Sequence, residues 1–224
     1  MKKIKLSELT PAELKLKNQA ETFFGLTEGL AITFERYQRH EFIIQQGGGT
    51  DKLLILLQGQ GKIYQIQTNG QQGIIHFLRP GDLIGELSLL EVERETKAVV
   101  ALSQCLCLSM PIKIAREKLL SDANFQLQLN RYLAEKLLTR TDHLSAGLNY
   151  PLLNRLAAFI LATADQGLYQ EKHGEAADYL GVSYRHLLYT FKQLRELGLI
   201  KKSGRDYQIM ALDKITELAQ GIKF

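Results

Sequence analysis

Basic side chains are concentrated in one stretch of the C-terminal third of the chain. Residues 182–205 contain six lysines and arginines against one acidic residue, Glu196, although the whole chain has a formal net charge of only +4. The six residues are Arg185, Lys192, Arg195, Lys201, Lys202 and Arg205. Ammonium and guanidinium groups at this density are suited to binding phosphates. The pattern therefore predicts a nucleic acid as the partner of this segment.

Two predicted helices joined by a glycine turn carry the first of these cations. Residues 175–180 form a short helical pattern, Gly181 permits a left-handed turn, and Ser183 is a typical N-cap for a second helix over residues 184–197. The residues predicted to face the core are Leu187, Leu188, Phe191 and Leu194, and those predicted to face solvent are Tyr184, Arg185, His186, Tyr189 and Lys192. This is a helix-turn-helix pattern, in which the second helix enters the major groove of DNA.

A predicted β-hairpin completes this segment. Residues 198–200 end the helix and begin a strand, residues 203–206 form a turn, and residues 207–210 return along it, which predicts a wing carrying Lys201, Lys202 and Arg205. An alternative is that the charged helix is an ordinary solvated face and that the winged helix serves protein contacts in a ligand-binding protein. That alternative predicts no salt-dependent affinity for DNA.

Short apolar runs separated by turn residues occupy residues 34–110 and predict an all-β block. The predicted strands are residues 41–44, 53–57, 62–66, 74–78, 83–84, 98–102 and 105–110. The breaks between them include Gly59-Gln60-Gly61, Asn69-Gly70 and Pro80-Gly81-Asp82. Many short strands at this spacing favour a jelly roll of the cupin type, a double-stranded β-helix. A helix over residues 11–30, with Thr10 as N-cap and Pro11 at its first position, precedes this β-roll.

A long helix is predicted over residues 123–148, because leucines recur on it at mostly fourfold spacing. Leu129, Leu133, Leu137 and Leu144 are predicted to pair with a second copy of the helix, although ordinary core packing is the alternative. Pro151 interrupts the pattern. The predicted fold class is α+β. The predicted domains are an N-terminal helix and β-roll over 1–122, a dimerisation helix over 123–149, and a winged helix-turn-helix over 150–224.

The composition and motifs disfavour other classes of protein. No phosphate-binding loop, nucleophile elbow, dinucleotide fingerprint or metal-type histidine cluster is found, so neither an enzyme nor a metal site is predicted. The sequence shows no apolar stretch of signal-peptide or membrane-spanning length, which predicts a cytoplasmic protein with no membrane partner.

The two cysteines, Cys105 and Cys107, lie on one face of a predicted strand. Neighbours on the same face of a strand rarely reach disulfide geometry, so two buried thiols are the favoured interpretation. An iron–sulfur cluster takes about four cysteine ligands. Such a cluster would therefore have to bridge two chains.

These motifs together resemble the superfamily of the cyclic-AMP receptor protein and the fumarate-nitrate regulator. The resemblance rests on Leu180-Gly181-Val182-Ser183, on Leu197-Gly198-Leu199-Ile200 and on residues 80–88 of the β block, and it covers nearly the whole chain. Residues 154–160 and 183–188 are most similar to the YeiL-type branch. The resemblance implies a bacterial homodimeric transcription regulator with an effector-sensing β-roll and a palindromic DNA site, and RNA polymerase is a further partner that it allows.

The resemblance also assigns roles to residues of the recognition helix and the wing. The predicted base contacts are Tyr184, Arg185, His186 and Tyr189, and the predicted phosphate contacts are Ser183, Lys192, Lys201, Lys202 and Arg205. Arg185 stands where the family commonly has a glutamate. A guanidinium prefers the O6/N7 edge of guanine, whereas a carboxylate prefers the amino group of cytosine. The family's target sequence is therefore not expected here.

The β-roll keeps part of the family's effector motif. In relatives that bind cyclic nucleotides, Gly-Glu-Leu contacts the ribose and an arginine about ten residues later holds the phosphate. Gly85, Glu86 and Leu87 are present, followed by Ser88, but Thr96 and Lys97 stand where the arginine is expected. On the long helix, Arg140 and Thr141 replace a threonine–serine pair. These eight residues are the predicted effector pocket.

A cyclic nucleotide is not expected as the effector of this pocket, because an ammonium does not reproduce the planar guanidinium. An unidentified anionic effector remains open. The alternative is that residues 80–88 only close the β-roll, with Glu86 paired to Arg94 or Lys97.

Overall fold

The structure, a computed structural model, describes residues 1–26, 29–66 and 72–222. The predicted Asn69–Gly70 turn lies outside these residues. The chain divides into two compact units, one formed by Met1–Gln65 with Leu78–Ala134 and the other by Ile66–Phe77 with Glu135–Phe224. The division falls within the segment 123–149 that the sequence predicts to be a separate dimerisation helix.

The N-terminal half of the chain alternates short strands with a few helices. Its elements are β1 (Lys2–Ile4), a 3-10 turn (Leu6–Glu8), α1 (Pro11–Phe24), β2 (Thr33–Tyr37), β3 (Phe42–Ile44), β4 (Lys52–Gln58), β5 (Gly61–Ile66), β6 (Gln72–Leu78), β7 (Leu83–Ile84), α2 (Glu86–Leu89), β8 (Ala98–Ala101), β9 (Cys105–Pro111), α3 (Ile112–Leu119) and α4 (Ala123–Asn149). The seven strands predicted for this block are all present, within a few residues at their ends.

Two antiparallel sheets build the β-roll. One has the strand order β1-β2-β9-β4-β7 and the other β3-β8-β5-β6. Strand β4 is buried on both faces: Leu54 and Leu56 pack between the sheets, whereas Leu53 and Ile55 pack toward a core that includes α1, α3 and the start of α4. Alternating side chains of a single strand thus hold the roll and its covering helices together.

Two predictions for this half need correction, and a third is confirmed. Strands β1 and β2 were not predicted, because β1 has three residues and β2 contains Glu35 and Arg36 within its apolar pattern. Helix α1 ends at Phe24 instead of near residue 30, because Gly25 adopts a left-handed conformation that caps the helix. The predicted N-cap is confirmed, since the Thr10 hydroxyl accepts a hydrogen bond from the backbone N–H of Glu13.

The predicted leucine stripe of α4 divides between two environments. Leu129 is only 3% exposed and belongs to the core of the first unit, and Leu133 packs against the same core. Leu137, Leu144 and Leu148 are 65%, 72% and 89% exposed. Leu129 is therefore unavailable for pairing with a second helix, because its side chain is already buried within its own chain.

The C-terminal half forms a winged helix-turn-helix. Its elements are α5 (Leu152–Thr163), β10 (Leu168–Tyr169), α6 (His173–Leu180), α7 (Tyr184–Glu196), β11 (Ile200–Ser203), β12 (Asp206–Ile209) and α8 (Leu212–Leu218). The wing is a three-stranded sheet of order β10-β12-β11, so it has one strand more than predicted. Among the described residues, no helix is long and apolar enough to cross a membrane.

Candidate nucleic-acid interface and effector site

Helix α7 is positioned by the short connection that follows α6. Gly181 ends α6 in the left-handed conformation, with φ of 64°, which a glycine adopts without steric cost. Ser183 then begins α7, and its hydroxyl oxygen accepts a hydrogen bond from the backbone N–H of His186 at 3.2 Å. The glycine turn and the serine N-cap predicted from the sequence are therefore present, and they set the point and the direction at which α7 begins.

The buried face of α7 differs from its prediction at one residue. Leu187, Phe191 and Leu194 are buried as expected, but Leu188 is 39% exposed and its predicted core position is wrong. Thr190 is buried instead, because on a 3.6-residue helix it points only about 40° away from Leu194, at the edge of the same face. Its hydroxyl donates to the carbonyl oxygen of His186 at 3.0 Å, which satisfies the polar atom within the core.

The predicted base-contact residues are all exposed near the start of α7. Tyr184 and Tyr189 are 54% and 59% exposed, and Arg185 and His186 are exposed as well. Arg185, Tyr189 and Lys192 are spaced by four and three residues, so they lie along one face of the helix. An arginine and two tyrosines within six residues can donate hydrogen bonds to base edges and present flat rings to them.

The wing carries the remaining cations beside this helix. Lys201, Lys202 and Arg205 are exposed on β11 and on the turn to β12. Tyr207, which pairs with Lys202 across the hairpin, is buried, and its ring centroid lies 4.7 Å from that of Phe191 on α7. This aromatic contact fixes the wing against the recognition helix.

His173 at the start of α6 joins the same aromatic cluster, a feature that the sequence reasoning missed. Its ring centroid lies 4.5 Å from that of Phe191, 5.6 Å from Tyr207 and 6.4 Å from Tyr184. Burial, and secondly the charge of Lys202, lower the pKa of His173. The imidazole is therefore held neutral at pH 7 and packs as a ring among rings.

Gly85 opens the segment predicted to form the effector pocket. Its φ of 94° lies in the left-handed region, and a Cβ atom there would come within 2.6 Å of the Lys52 carbonyl oxygen. Both facts require a glycine at this position. Glu86 and Leu89, in the short helix α2 that follows, are buried. The chain therefore bends sharply into the core of the first unit at this point.

The polar atoms around α2 are largely used within the protein. The hydroxyl of Ser88 donates to Glu93 at 2.9 Å, and the ammonium of Lys97 lies 3.5 Å from the other carboxylate oxygen of Glu93. Lys97 therefore pairs with Glu93, and its predicted pairing with Glu86 is corrected. The predicted pairing of Arg94 is not observed either, since Arg94 is exposed and forms no salt bridge among the described residues.

Thr96, at the position where an arginine is expected, forms hydrogen bonds to the loop between β3 and β4. Its side chain is buried, and its hydroxyl is within hydrogen-bond distance of the carbonyl oxygens of Gln45, at 3.0 Å, and Gly48. Its backbone N–H and carbonyl also bond to Gly48 and Gly47 of the same loop. Thr96 thus stabilises the connection between β3 and β4.

Arg116 of α3 was not assigned a role from the sequence. Its guanidinium donates to the carbonyl oxygens of Leu89, at 3.0 Å, and of Ser88, at 2.8 Å, and it pairs with Glu91 at 2.9 Å. The bond to Leu89 supplies a donor to a carbonyl at the end of α2, and the Ser88 carbonyl accepts from Arg116 in addition to the backbone N–H of Glu91. No sequence signal pointed to this contact, because it joins residues about 27 positions apart and depends on tertiary packing.

The last two predicted pocket residues, Arg140 and Thr141, belong to the second unit. Both are exposed on α4, and the Thr141 hydroxyl donates to the carbonyl oxygen of Leu137 at 3.0 Å. Their assignment to the effector pocket therefore stays a prediction.

The interior of the β-roll also contains a buried polar cluster. Glu35, which is 1% exposed, accepts hydrogen bonds from the Lys52 ammonium at 2.7 Å and the Tyr37 hydroxyl at 2.5 Å. Burial by itself raises the pKa of Glu35, but the bonds from Lys52 and Tyr37 outweigh it and hold the pKa below its usual value. Glu35 is therefore ionised within the roll at neutral pH.

Both thiols are buried and unpaired, as the sequence predicts. Cys105 donates to the carbonyl oxygen of Gln60 at 3.1 Å. Burial raises the pKa of Cys105 to about 11 and also raises that of Cys107. Thiols of this kind are poor nucleophiles at neutral pH, because the thiolate is the reactive form.

Comparison with known families agrees with both halves of the fold. Residues 34–122 match the family described as Cyclic nucleotide-binding domain, and residues 154–218 match the Crp-like helix-turn-helix domain. A β-roll of the first kind implies a small-molecule effector site, and a helix-turn-helix of the second kind implies DNA binding. The class of protein is thus a DNA-binding transcription regulator with an effector domain.

Individual relatives narrow this class. The chain is 39% identical to Regulatory protein YeiL from Escherichia coli O157:H7 over 179 residues, which span 80% of this chain and 82% of that protein. It is 25% identical to the Cyclic AMP receptor protein of Thermus thermophilus over 89% of this chain and 97% of that protein. This chain belongs to the Crp/Fnr family of transcription regulators, and its predicted likeness to the YeiL-type branch is confirmed.

Solved structures of the family share the fold. A CRP-family transcriptional regulator from Thermus thermophilus has a TM-score of 0.68 at 19% identity, covering 85% of this chain and 98% of that one. FixK2 from Bradyrhizobium japonicum has a TM-score of 0.63 at 20% identity, covering 84% of this chain and 98% of that one. The predicted α+β class, with an N-terminal roll and a C-terminal winged helix-turn-helix, is confirmed.

Proposed function

We propose that this regulator works as a homodimer that reads a palindromic DNA site with two copies of α7, under the control of a small molecule other than a cyclic nucleotide. The observation that carries the proposal is the exposed face formed by Tyr184, Arg185 and Tyr189 at the start of α7, next to the cationic wing. These side chains are exposed to solvent, and their donors suit base edges in a major groove. Arg185 is assigned to a guanine.

The phosphate contacts of each half-site are assigned to Ser183, Lys192, Lys201, Lys202 and Arg205. The four cations are exposed, and the Ser183 hydroxyl can still donate its proton while its oxygen caps α7. A hydroxyl at the start of α7, an ammonium further along it and three cations on the adjacent wing would set the orientation of α7 on the duplex. Such contacts give affinity and register without sequence information.

Pairing of two chains is assigned to the exposed part of α4. Leu137, Thr141, Leu144 and Leu148 recur at spacings of four, three and four residues, which is the seam pattern of paired helices. Three of the four are large apolar side chains that are more than half exposed in a single chain. Burying them against the same stripe of a second copy would remove this apolar surface from water.

The absence of cyclic-nucleotide control is inferred from Thr96 and Lys97. A cyclic nucleotide carries a phosphate that needs a cation in this part of the roll. The Thr96 hydroxyl is engaged with the β3–β4 loop, and the Lys97 ammonium is paired with Glu93. A ligand that needs fewer charges, or that displaces Glu93 from Lys97, fits this segment better.

Selection of bound fragments from random DNA tests the proposal. Purified protein would be used with and without reductant, and with and without cyclic nucleotides. We expect an inverted repeat to be enriched equally with and without cyclic AMP and cyclic GMP. Enrichment only with a cyclic nucleotide would contradict the effector assignment, and a motif without two-fold symmetry would contradict the dimer.

A matched variant separates base reading from general affinity for DNA. Arg185→Ala should lose preference for the selected repeat over random DNA, whereas Lys214→Ala, which removes an exposed cation from α8, should keep that preference. Equal preference in both variants would show that α7 is not the reading element.

A further inference from the structure

A cationic cleft lies between the C-terminal half of α7 and strand β11. It has a volume of about 380 Å³ and is lined by Lys192, Arg195, Glu196, Ile200, Lys201 and Lys202. Four cations thus face one carboxylate. Within the described part of the chain, Lys192 pairs with Glu196 at 3.6 Å, and Arg195, Lys201 and Lys202 have no carboxylate within salt-bridge distance.

The local fold builds this cleft. Gly198 takes a left-handed conformation with φ of 69° and donates its N–H to the Arg195 carbonyl at 2.9 Å, while Leu199 donates to the Leu194 carbonyl at 3.0 Å. This pair of bonds turns the chain sharply after α7 and lays β11 beside the helix. Ile200, which is 2% exposed, forms the apolar floor of the cleft, and the cations line its rim.

Helix stability alone does not account for the arrangement. The negative end of the α7 dipole favours a cation in its last turn, and this explains Arg195. It does not explain two lysines on the adjacent strand, because mutual repulsion raises the energy of four cations around one cleft. A bound polyanion would relieve that repulsion.

We infer that this cleft holds a backbone phosphate of the DNA at the edge of the major groove, with Arg195 as a phosphate-binding residue and Glu196 as an internal competitor for Lys192. The inference rests on the proposed function. From Arg185 to Arg195 the helix rises by about 15 Å, at 1.5 Å per residue. The major groove is about 12 Å wide. When Arg185 contacts bases inside the groove, Arg195 and β11 therefore lie at its edge, where the phosphates are.

Glu196 distinguishes this cleft from a simple basic surface, because its carboxylate is predicted to weaken binding to DNA. In the free protein its carboxylate neutralises Lys192, and both side chains are more than 60% exposed. A phosphate entering the cleft must displace this carboxylate and is repelled by it. Removing the negative charge should therefore strengthen binding to DNA.

Salt dependence of DNA affinity tests the cleft directly. Anisotropy titrations with a selected palindrome would compare the wild type with Arg195→Gln, Glu196→Gln and the control Lys214→Gln over a range of KCl concentrations. Each phosphate contact contributes about 0.9 to the slope of log K against log salt. Because a dimer loses two contacts, Arg195→Gln should lower the slope by about 1.8, while Lys214→Gln leaves it unchanged. Glu196→Gln should bind roughly threefold more tightly than the wild type.

The outcomes separate the cleft from the proposed function. Palindrome binding by the wild type with an unchanged slope in Arg195→Gln would overturn the cleft and leave the DNA-binding function in place, and the cleft would then be a site for an acidic protein segment. Weaker or equal binding by Glu196→Gln, with a wild-type melting temperature, would also overturn it. Failure of the wild type to bind any selected fragment would overturn both.

Discussion

The recognition helix and the effector segment use their polar side chains in opposite ways. At the start of α7, Arg185 and Tyr189 are exposed, and neither side chain forms a hydrogen bond, salt bridge or ring contact with the other residues that the structure describes. Between Gly85 and Lys97, Ser88, Thr96 and Lys97 are bonded to neighbouring atoms of the same unit. The first region leaves its polar groups to solvent or a partner, whereas these polar groups of the second region are bonded within the protein.

A residue that a motif shares with a family can be kept for backbone geometry alone. Gly85 is retained for a backbone reason, since both its φ and its approach to Lys52 demand glycine. At the place where the family resemblance leads us to expect a phosphate-binding arginine, Thr96 and Lys97 stand instead. Gly85 therefore reports on the local course of the backbone and does not by itself assign a ligand.

The change with the greatest predicted consequence lies on α4, to which the proposed pairing of two recognition helices is assigned. Leu137→Glu with Leu144→Glu should give a monomer and reduce affinity for the palindrome by about 100-fold or more, because the second half-site would then bind independently. Sedimentation analysis and DNA titration measure the two effects. Leu138→Glu is the control, since Leu138 is equally exposed but lies off the stripe. A double variant that stays dimeric would contradict the seam.

The next effect concerns the reading face itself. Arg185→Ala should cost about 1–3 kcal/mol of discrimination at one base pair in each half-site, because a bidentate contact to guanine is lost. Competition between the selected site and a site changed at that base pair measures it. If the variant still discriminates between the two sites, Arg185 does not read that base.

A smaller effect is expected in the effector segment, where the internal hydrogen bonds of Thr96 predict a structural role for this residue. Thr96→Val keeps the shape of the side chain and removes its hydroxyl, so the free energy of unfolding should fall by about 1–2 kcal/mol while DNA affinity stays unchanged. Denaturant unfolding measures the stability. Thr216→Val is the control, because the Thr216 hydroxyl bonds only within its own helix and is exposed. Unchanged stability of Thr96→Val would show that the hydroxyl is available to a ligand.

The smallest effect is a pH dependence of the stability of the winged helix-turn-helix. Burial, followed by the charge of Lys202, lowers the pKa of His173, so the folded state binds fewer protons than the unfolded state. Stability is therefore lost as the pH falls through about 6.5, the ordinary histidine value. Burial, followed by the charge of Arg155, also lowers the pKa of His143, so His143 makes stability depend on pH in the same direction. Melting temperatures at about pH 7.5 and 5.5 should differ less in His173→Phe than in the wild type. An equal difference would show that His173 does not contribute.

Local signals explain what the sequence could predict. The start of α7 and its wing follow from Ser183, Gly181 and Gly198, each of which acts on its nearest neighbours along the chain. The strands between residues 41 and 110 follow from apolar runs bounded by turns. These features need no knowledge of the tertiary structure.

Long-range contacts explain what the sequence could not predict. Strand β1 forms because it pairs with residues more than 30 positions away, as in Lys2 opposite Arg36. The periodicity of α4 identified an apolar stripe but not that Leu129 packs into the β-roll while Leu137 stays exposed. The partners of Thr96 lie about 50 positions earlier in the chain. A pattern of residue types defines a face, and only the fold decides what covers it.

In the proposed dimer, the two copies of α7 lie about one turn of DNA apart, as the half-sites of a helix-turn-helix dimer do, and lengthening the selected palindrome tests this arrangement. Inserting about 5 base pairs between the half-sites turns them to opposite sides of the duplex, because B-DNA repeats every 10–10.5 base pairs. The account predicts that affinity falls to that of a single half-site, while a substitution of the same central bases without insertion has little effect. Full affinity for the lengthened site would contradict the account.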